Sequence, residues 1–411
     1  MAGLQDAPLV TATTTETSVP ASHSAPHASS ASQTFHIGTR KSLLARVQTD
    51  EVVHLLRRAW PDHHFEIHAM STTGDDNQAT ALYAFNDKAL WTQELEVLLQ
   101  NKKLDLIVHS LKDMPTQLPM DLELGCVTTR EDPRDALVIK PSLHCKSLAD
   151  LPEGSVVGTS SLRRTAQLKR FHPHLRFADV RGNIGTRLSK LDAPDSEYSA
   201  IILAVAGLAR LGMEKRITTY LSRSDGGMLH AVGQGALGIE TRKDDTRVKE
   251  LLGRIGNERT WRAVLAERSL MRTLEGGCSV PIGVETEWVR RKSGLDAGHV
   301  GVGAKPAEGY DKLTGVADTK AAEGGGEGGE GEVVDEMNTP DFTDELIMRA
   351  LVVSLDGQHI AETEARRRMT SREEADEFGW EIARQLVAKG AGKILEGITL
   401  NRKIIGEQHE A

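Results

Sequence analysis

The sequence predicts an α/β protein of more than one domain, and three observations carry that expectation. Strand-like runs alternate with helical patterns from Phe35 onward. The opening Ile37-Gly38-Thr39, ahead of an Arg-bearing helix, is echoed by Val157-Gly158-Thr159 ahead of another. The chain of 411 residues also far exceeds the roughly 150 of an ordinary single domain. Hydrophobic residues at 39% and charged residues at 27% are ordinary globular values, which excludes a collagen, a coiled coil and a wholly disordered chain.

In chain order, FHIGT reads as a strand, Ser42 to Trp60 as a helix, FEIHAM as a strand, the region near Leu90 to Gln100 as a helix and LDLIVHS as a strand. SVVGTSS then precedes a helix from Leu162, LRFADVRG a helix near Ile184 to Leu191, and AIILAVAG forms a further strand. The pattern predicts largely parallel strands. ELIMRALVVSLDGQHI reads as a strand with a turn at Asp356-Gly357, and a helical pattern runs through EEADEFGWEIARQLVAKGAGKIL. Residues 1–34 contain no Lys or Arg and are rich in Ala, Ser, Thr and Pro, which predicts a disordered tail and fits neither an Arg-rich presequence nor a secretory signal. AAEGGGEGGEGE, Ala321 to Glu332, predicts a solvated insert at about 291–340 inside a C-terminal domain.

The formal net charge of −9 disfavours nucleic acid and acidic membrane as partners unless basic residues are gathered locally. The longest apolar stretch, Ala200 to Ala209, falls well short of the roughly 20 residues needed to cross a bilayer. Cys126, Cys145 and Cys278 are odd in number and widely separated, so neither a disulfide framework nor a zinc knuckle is supported. A reducing, cytoplasmic setting and a monomer are expected.

Gly233-Gln-Gly235-Ala-Leu-Gly238 matches a dinucleotide fingerprint as a string, yet Gly238 to Arg242 reads as a strand where the fingerprint requires a helix. His63, His64 and His68 sit at or within a strand pattern with no second ligand cluster, so no metal is expected. His109, Ser110 and Asp113 lack a nucleophile elbow, which argues against a hydrolase triad.

The arginines are harder to dismiss. Arg163 and Arg164 fall in the first turn of a helix, where the macrodipole disfavours a cation. Arg40, Arg181, Arg187 and Arg210 are read at other strand-to-helix transitions, the rim where open α/β sheets bind ligands. Gathered there in an acidic protein, they point to an anionic ligand held by guanidinium forks. Lys112 and Asp113 follow LDLIVHS at the same rim. Asp113 reads either as an ion-pair partner or, for a ligand with N–H groups or developing positive charge, as its stabiliser and proton shuttle. Cys278 in LEGGCSVP reads either as a small buried hydrophobe or as a sulfur with room for a covalent adduct.

Taken together, GTRKSLLARVQTD, IHAMSTTGD, LDLIVHSLKDMPT, VVGTSSLRRTAQL, RGNIGTRL, AIILAVAGLARLG, AVGQGALGIE and LEGGCSVPIG resemble the hydroxymethylbilane synthase (porphobilinogen deaminase) family, from about Phe35 to Gly283 and more weakly to Leu400. The resemblance implies two type II periplasmic-binding-protein-like α/β domains plus a small α+β C-terminal domain. It divides the chain into a 1–34 tail, domain 1 at 35–130 with 232–256, domain 2 at 131–231, and domain 3 at 257–402. It implies a dipyrromethane cofactor on Cys278 through a thioether, and stepwise joining of four porphobilinogen molecules with loss of ammonia. By motif position Asp113, Arg40 and Arg163 are the catalytic residues. Ser42, Lys112, Arg164, Arg181, Arg187 and Arg210 are assigned to the cofactor, and Arg40, Gln48, Arg163 and Lys88 to the substrate. Asp76 and Ala84 stand where the family often carries a basic residue. A non-catalytic two-lobed receptor for a small carboxylate or oxyanion is the competing class, but it gives no reason for Asp113 or Cys278. A phosphate- or nucleotide-dependent transferase lacks a phosphate loop.

Overall fold

A computed structural model describes residues 32–72, 92–223, 227–274, 280–291 and 342–398, together with a two-stranded ladder formed by β12 (Tyr310–Asp311) and β13 (Val316–Ala317). The 1–34 tail up to residue 31, Lys88, Cys278 and most of the Gly/Glu-rich insert lie outside the described residues.

The first sheet contains β1 (Thr34–Arg40), β2 (His64–Met70), β3 (Leu106–Ser110), β4 (Leu122–Val127) and β10 (Leu237–Arg242), in the order β2-β1-β3-β10-β4. The second contains β5 (Asp135–Ile139), β6 (Val156–Gly158), β7 (Arg176–Ala178), β8 (Tyr198–Ala204) and β9 (Thr219–Leu221), in the order β7-β6-β8-β5-β9. The two orders are the same pattern. In each, a parallel trio (β2-β1-β3 or β7-β6-β8) is followed by an antiparallel strand and an edge strand. Four of the five strands in each sheet run the same way, as the alternation predicts, and a single antiparallel strand, β10 or β5, makes each sheet mixed. The echo of the two Gly-Thr openings is structural, since Gly38 and Gly158 both lie in the middle strand of a parallel trio, β1 or β6, near its carboxyl end.

Helices pack on these sheets through apolar faces. α1 (Leu43–Ala59) buries Val52, Val53 and Leu56 against Phe35, Ile37 and Val108, and Ser42 caps its start by accepting from the Ala45 amide at 3.4 Å. α2 (Gln93–Gln100) buries Leu95 and Leu99 beside Leu104 and Ile107. In the second body lie α3 (Leu162–Phe171), capped by Ser161, α4 (Ile184–Asp192), capped by Asn183, and α5 (Val205–Arg210). α6 (Thr246–Leu252) returns to the first sheet. The third body sets α7 (Glu258–Thr273) and α8 (Arg372–Ala388) on a sheet of β11 (Ile282–Arg290), β14 (Phe342–Val353) and β15 (Ile360–Arg368), around Trp288, Phe378 and Ile382. No helix among the described residues is long and apolar enough to cross a membrane.

The chain passes between the two large sheets twice, through 128–134 and between β9 and β10, and the described residues 227–236 of the second crossing lie beside the first. The Arg130 guanidinium donates to the Gln234 carbonyl at 2.8 Å, and Gln234 Nε2 donates to the Pro133 carbonyl at 2.7 Å. This explains the string Gly233 to Gly238. Gly235 has φ +89°, and a Cβ there would lie 2.2 Å from the Glu131 carbonyl oxygen, so glycine is required for the crossings to touch. Arg130 also pairs with buried Glu267 of α7 at 2.7 Å, and Glu267 accepts from the Gly233 amide at 2.8 Å, which fastens the third body to the crossings.

Candidate active site

Strand ends of the first sheet supply one wall. Arg40 ends β1, and Ser110 ends β3 and leads into a 3-10 turn, Leu111–Asp113. The turn is anchored by buried Leu111 and Met114, which leaves Lys112 and Asp113 partly exposed. Gln48, buried on α1, exchanges hydrogen bonds with the Ser110 hydroxyl at 2.8 and 3.0 Å, so helix and strand end are tied beside the turn.

The second body supplies the facing wall. Arg163 and Arg164 occupy the first turn of α3, as the spacing predicts, but the physical reading is corrected: both are buried, and much of their charge is answered inside the protein. Arg163 Nη1 donates to Asp135 Oδ2 and to the Leu229 carbonyl, each at 2.7 Å. Arg164 donates to Asp135 Oδ1 through Nε at 3.0 Å and Nη2 at 2.6 Å, and to the Ile202 carbonyl at 2.8 Å. Burial pushes the Asp135 carboxyl up, yet the two guanidinium groups outweigh it and hold the acid well below the usual carboxylate range.

Arg181 follows β7 and Arg187 lies within α4. Arg187 Nε donates to the Gly182 carbonyl at 2.7 Å. Burial, with Arg164 and Arg181 nearby, pulls the Arg187 guanidinium down to about 10, against the pull of Asp113. Burial likewise lowers Lys112; Asp113 and Asp135 oppose the shift, and Arg164 and Arg163 add to it. These mutual effects place Lys112, Asp113, Arg163, Arg164, Arg181 and Arg187 in one electrostatic group spanning both bodies. Five cations there face two carboxylates, Asp113 and Asp135. One buried nitrogen of the group, Arg181 Nη1, has no hydrogen-bond partner. A buried N–H left in this way is costly and calls for an acceptor oxygen.

Other expected residues are placed differently. AIILAVAGLAR suggests that Arg210 lies at a strand-to-helix transition; instead β8 ends at Ala204 and Arg210 closes α5. Its guanidinium pairs with Glu51 of α1 at 2.9 Å and donates to the Gly235 carbonyl at 3.2 Å, linking the two bodies at the crossings. Ser42 spends its hydroxyl on the helix cap. Lys88 and Cys278 lie outside the described residues. His109 is buried against Glu240 at 2.8 Å and Ser110 against Gln48, so they form no triad with Asp113. Sequence reasoning missed Asp135, Glu51 and Gln234, and it weighed Ser110 only as a triad member and not as the partner of Gln48. The available signal for Asp135 was the pair of arginines, which needed an internal counter-charge.

The family models and the curated relatives point to one family. The family model described as "Porphobilinogen deaminase, dipyromethane cofactor binding domain" matches residues 35–250, and "Porphobilinogen deaminase, C-terminal domain" matches 261–297. The chain is similar to a protein named porphobilinogen deaminase from Yarrowia lipolytica, with 46% identity covering 89% of this chain and 93% of that one. The corresponding figures are 44%, 90% and 98% for one from Saccharomyces cerevisiae, and 54%, 63% and 79% for one from Synechococcus elongatus.

Proposed function

The chain belongs to the porphobilinogen deaminase family, and on that premise we propose that the cleft of Arg40, Lys112, Asp113, Arg181 and Arg187 binds pyrrole carboxylates and that Asp113 carries the proton chemistry. The protein is a hydroxymethylbilane synthase: it joins four porphobilinogen molecules head to tail, releases ammonia at each joining and finally releases linear hydroxymethylbilane. The observation that carries the site reading is the buried Arg181 Nη1 without a partner, inside a group with more cations than carboxylates. Porphobilinogen bears an acetate and a propionate, and guanidinium forks match such groups at two points.

The same residues fit dipyrromethane, whose side chains are also carboxylates. When bound, dipyrromethane supplies the pyrrole end onto which the first porphobilinogen is joined. Lys112, Arg181 and Arg187 hold carboxylates, while Arg163 and Arg164 add positive potential from behind and Arg40 closes the rim. The Asp113 carboxylate accepts pyrrole N–H bonds, balances the positive charge that develops as ammonia leaves, and passes protons to the departing amine and from the new junction. Gln48 and Ser110 keep the turn carrying Asp113 in place. Arg210 and Glu51 tie the two walls. The three sheets support a division at 35–130 with 232–256, 131–231 and 257–402.

Cys278 is the cofactor's attachment point in this reading. Cys126 suits the role poorly, since burial in the first core pushes its thiol up to about 12 and withholds the thiolate. Cys145 Sγ lies 3.3 Å from the Asp150 carbonyl and packs beside the second core. Among the described residues Cys126 and Cys145 are free, which supports work in a reducing compartment such as the cytoplasm.

Intact-mass spectrometry tests the reading. The wild type should be heavier than its sequence by one dipyrromethane and give a colour with Ehrlich's reagent; Cys278→Ala should have the bare mass and no colour, and Cys126→Ser should keep the adduct. An adduct surviving in Cys278→Ala would move the attachment elsewhere. Among the cleft cations, Arg181→Leu and Arg187→Leu should stall the growing chain at different lengths, read as distinct distributions of bound pyrrole units by native mass spectrometry. Equal losses at every length would mean that the arginines act only as a diffuse field.

A further inference from the structure

Away from the cleft, three donors converge on the outer strands of the first sheet. β1 and β2 run parallel with His36 opposite Glu66 and Gly38 opposite His68. With side chains alternating along a strand, His36, Glu66 and His68 leave the same face. The other face carries Phe35, Ile37 and Phe65 into the core. His36 Nδ1 lies 3.0 Å from His68 Nε2 and 3.4 Å from Glu66 Oε2. One donor atom from each residue lies within 4.8 Å of the others.

That spacing is chemically specific. Zinc bonds imidazole nitrogen and carboxylate oxygen at about 2.0–2.2 Å, so ligand atoms around a tetrahedral ion stand about 3.3 Å apart. Two neutral imidazoles and a carboxylate form a nitrogen and oxygen donor set for a divalent ion of borderline softness. His36 is half-buried while Glu66 and His68 are exposed, which leaves a side open for water. Asp105 accepts from the His36 backbone amide at 2.8 Å and is itself paired with Arg247, so it fixes the strand and keeps out of the donor set. His36 precedes Arg40 by four strand residues, or about 13 Å, and His68, opposite Gly38, stands two residues or about 7 Å back from the level of Arg40, so the donors lie behind the rim along the strands. His68, in FEIHAM, lacks a second cluster only in sequence; the parallel register brings His36 to it.

We propose that His36, Glu66 and His68 form a divalent metal site, suited to Zn2+ and completed by water, which clamps the edge strand β2 to β1. Its effect is on stability, by binding the folded chain, and not on the chemistry of the cleft.

The test uses the full-length protein stripped with EDTA and titrated with Zn2+ by calorimetry, with Co2+ as a visible-absorbing substitute. Wild type should take up one ion per chain and unfold at a temperature higher by about 3 °C or more with excess Zn2+. His36→Ala and His68→Ala should each bind about 100-fold more weakly or worse, exceeding the effect of losing an outer-shell partner. His68→Ala should also lose the thermal shift while keeping wild-type turnover in EDTA. Stoichiometric binding undiminished in a His36→Ala, His68→Ala double variant would place the ion elsewhere, and absence of binding to the wild type would equally overturn the proposal.

Discussion

Asp113→Asn should lower single-turnover ammonia release by about 10² or more while the protein still carries its full dipyrromethane mass. The turn that presents residue 113 is held by Leu111 and Met114, both buried, and by the Met114 amide donating to the Leu111 carbonyl at 3.2 Å. Asparagine has the same shape and disturbs none of these contacts. It loses the negative charge and the basic oxygen, which are the two properties the reaction draws on. Lys112 gives a second readout. Burial lowers its pKa and Asp113 is the largest opposing influence, so removing the carboxylate should lower it further and move the alkaline limb of the pH-rate profile toward lower pH. Near-normal ammonia release from cofactor-loaded Asp113→Asn would sink the assignment, and an unmoved alkaline limb would separate Lys112 from Asp113.

The α/β alternation was legible because its helices and long strands carry clean periods. The helix read over Ser42 to Trp60 is α1 with its two caps, and FEIHAM and LDLIVHS coincide with β2 and β3. What escaped were strands whose pairing is non-local. LELGCV and DALVI, which became β4 and β5, have no local partner: β4 waits for β10 in the first sheet, and β5 waits for β8 in the second. Such pairings depend on where the chain crosses between bodies, which no window of sequence contains. The candidate site shows the same split. Residue types at the rim were readable from motif spacing, so Lys112, Asp113, Arg181 and Arg187 emerged together. Whether an arginine faces ligand or an internal carboxylate was not readable, because Asp135 is hidden in an apolar strand well before Arg163. His36 and His68 were kept apart for the same reason, being neighbours only through strand register.

Asp135→Ala should destabilise the folded protein by about 3–5 kcal/mol, because it strands two buried guanidinium groups without their counter-charge. In that state Arg163 keeps the Leu229 carbonyl and Arg164 the Ile202 carbonyl, but neither dipole balances a full charge in an apolar interior. Gln234 Nε2, which donates to Asp135 Oδ1 at 3.0 Å, would lose a partner at the crossings as well. The apparent unfolding temperature should therefore fall by on the order of 10 °C. The pH dependence has a definite sign. Asp135 is held below its ordinary value in the folded state, so its contribution is complete above the unfolded pKa of about 3.9 and is lost as pH falls through the lower folded value. The stability gap between wild type and Asp135→Ala should thus be flat from pH 5 to 8 (about one to four units above that unfolded value) and should narrow only in strong acid. A gap that closed near neutrality would mean that another group supplies the charge balance. A thermally intact Asp135→Ala protein with lost turnover would mean that Arg163 and Arg164 are aimed at ligand, with Asp135 orienting them and not paying for their burial.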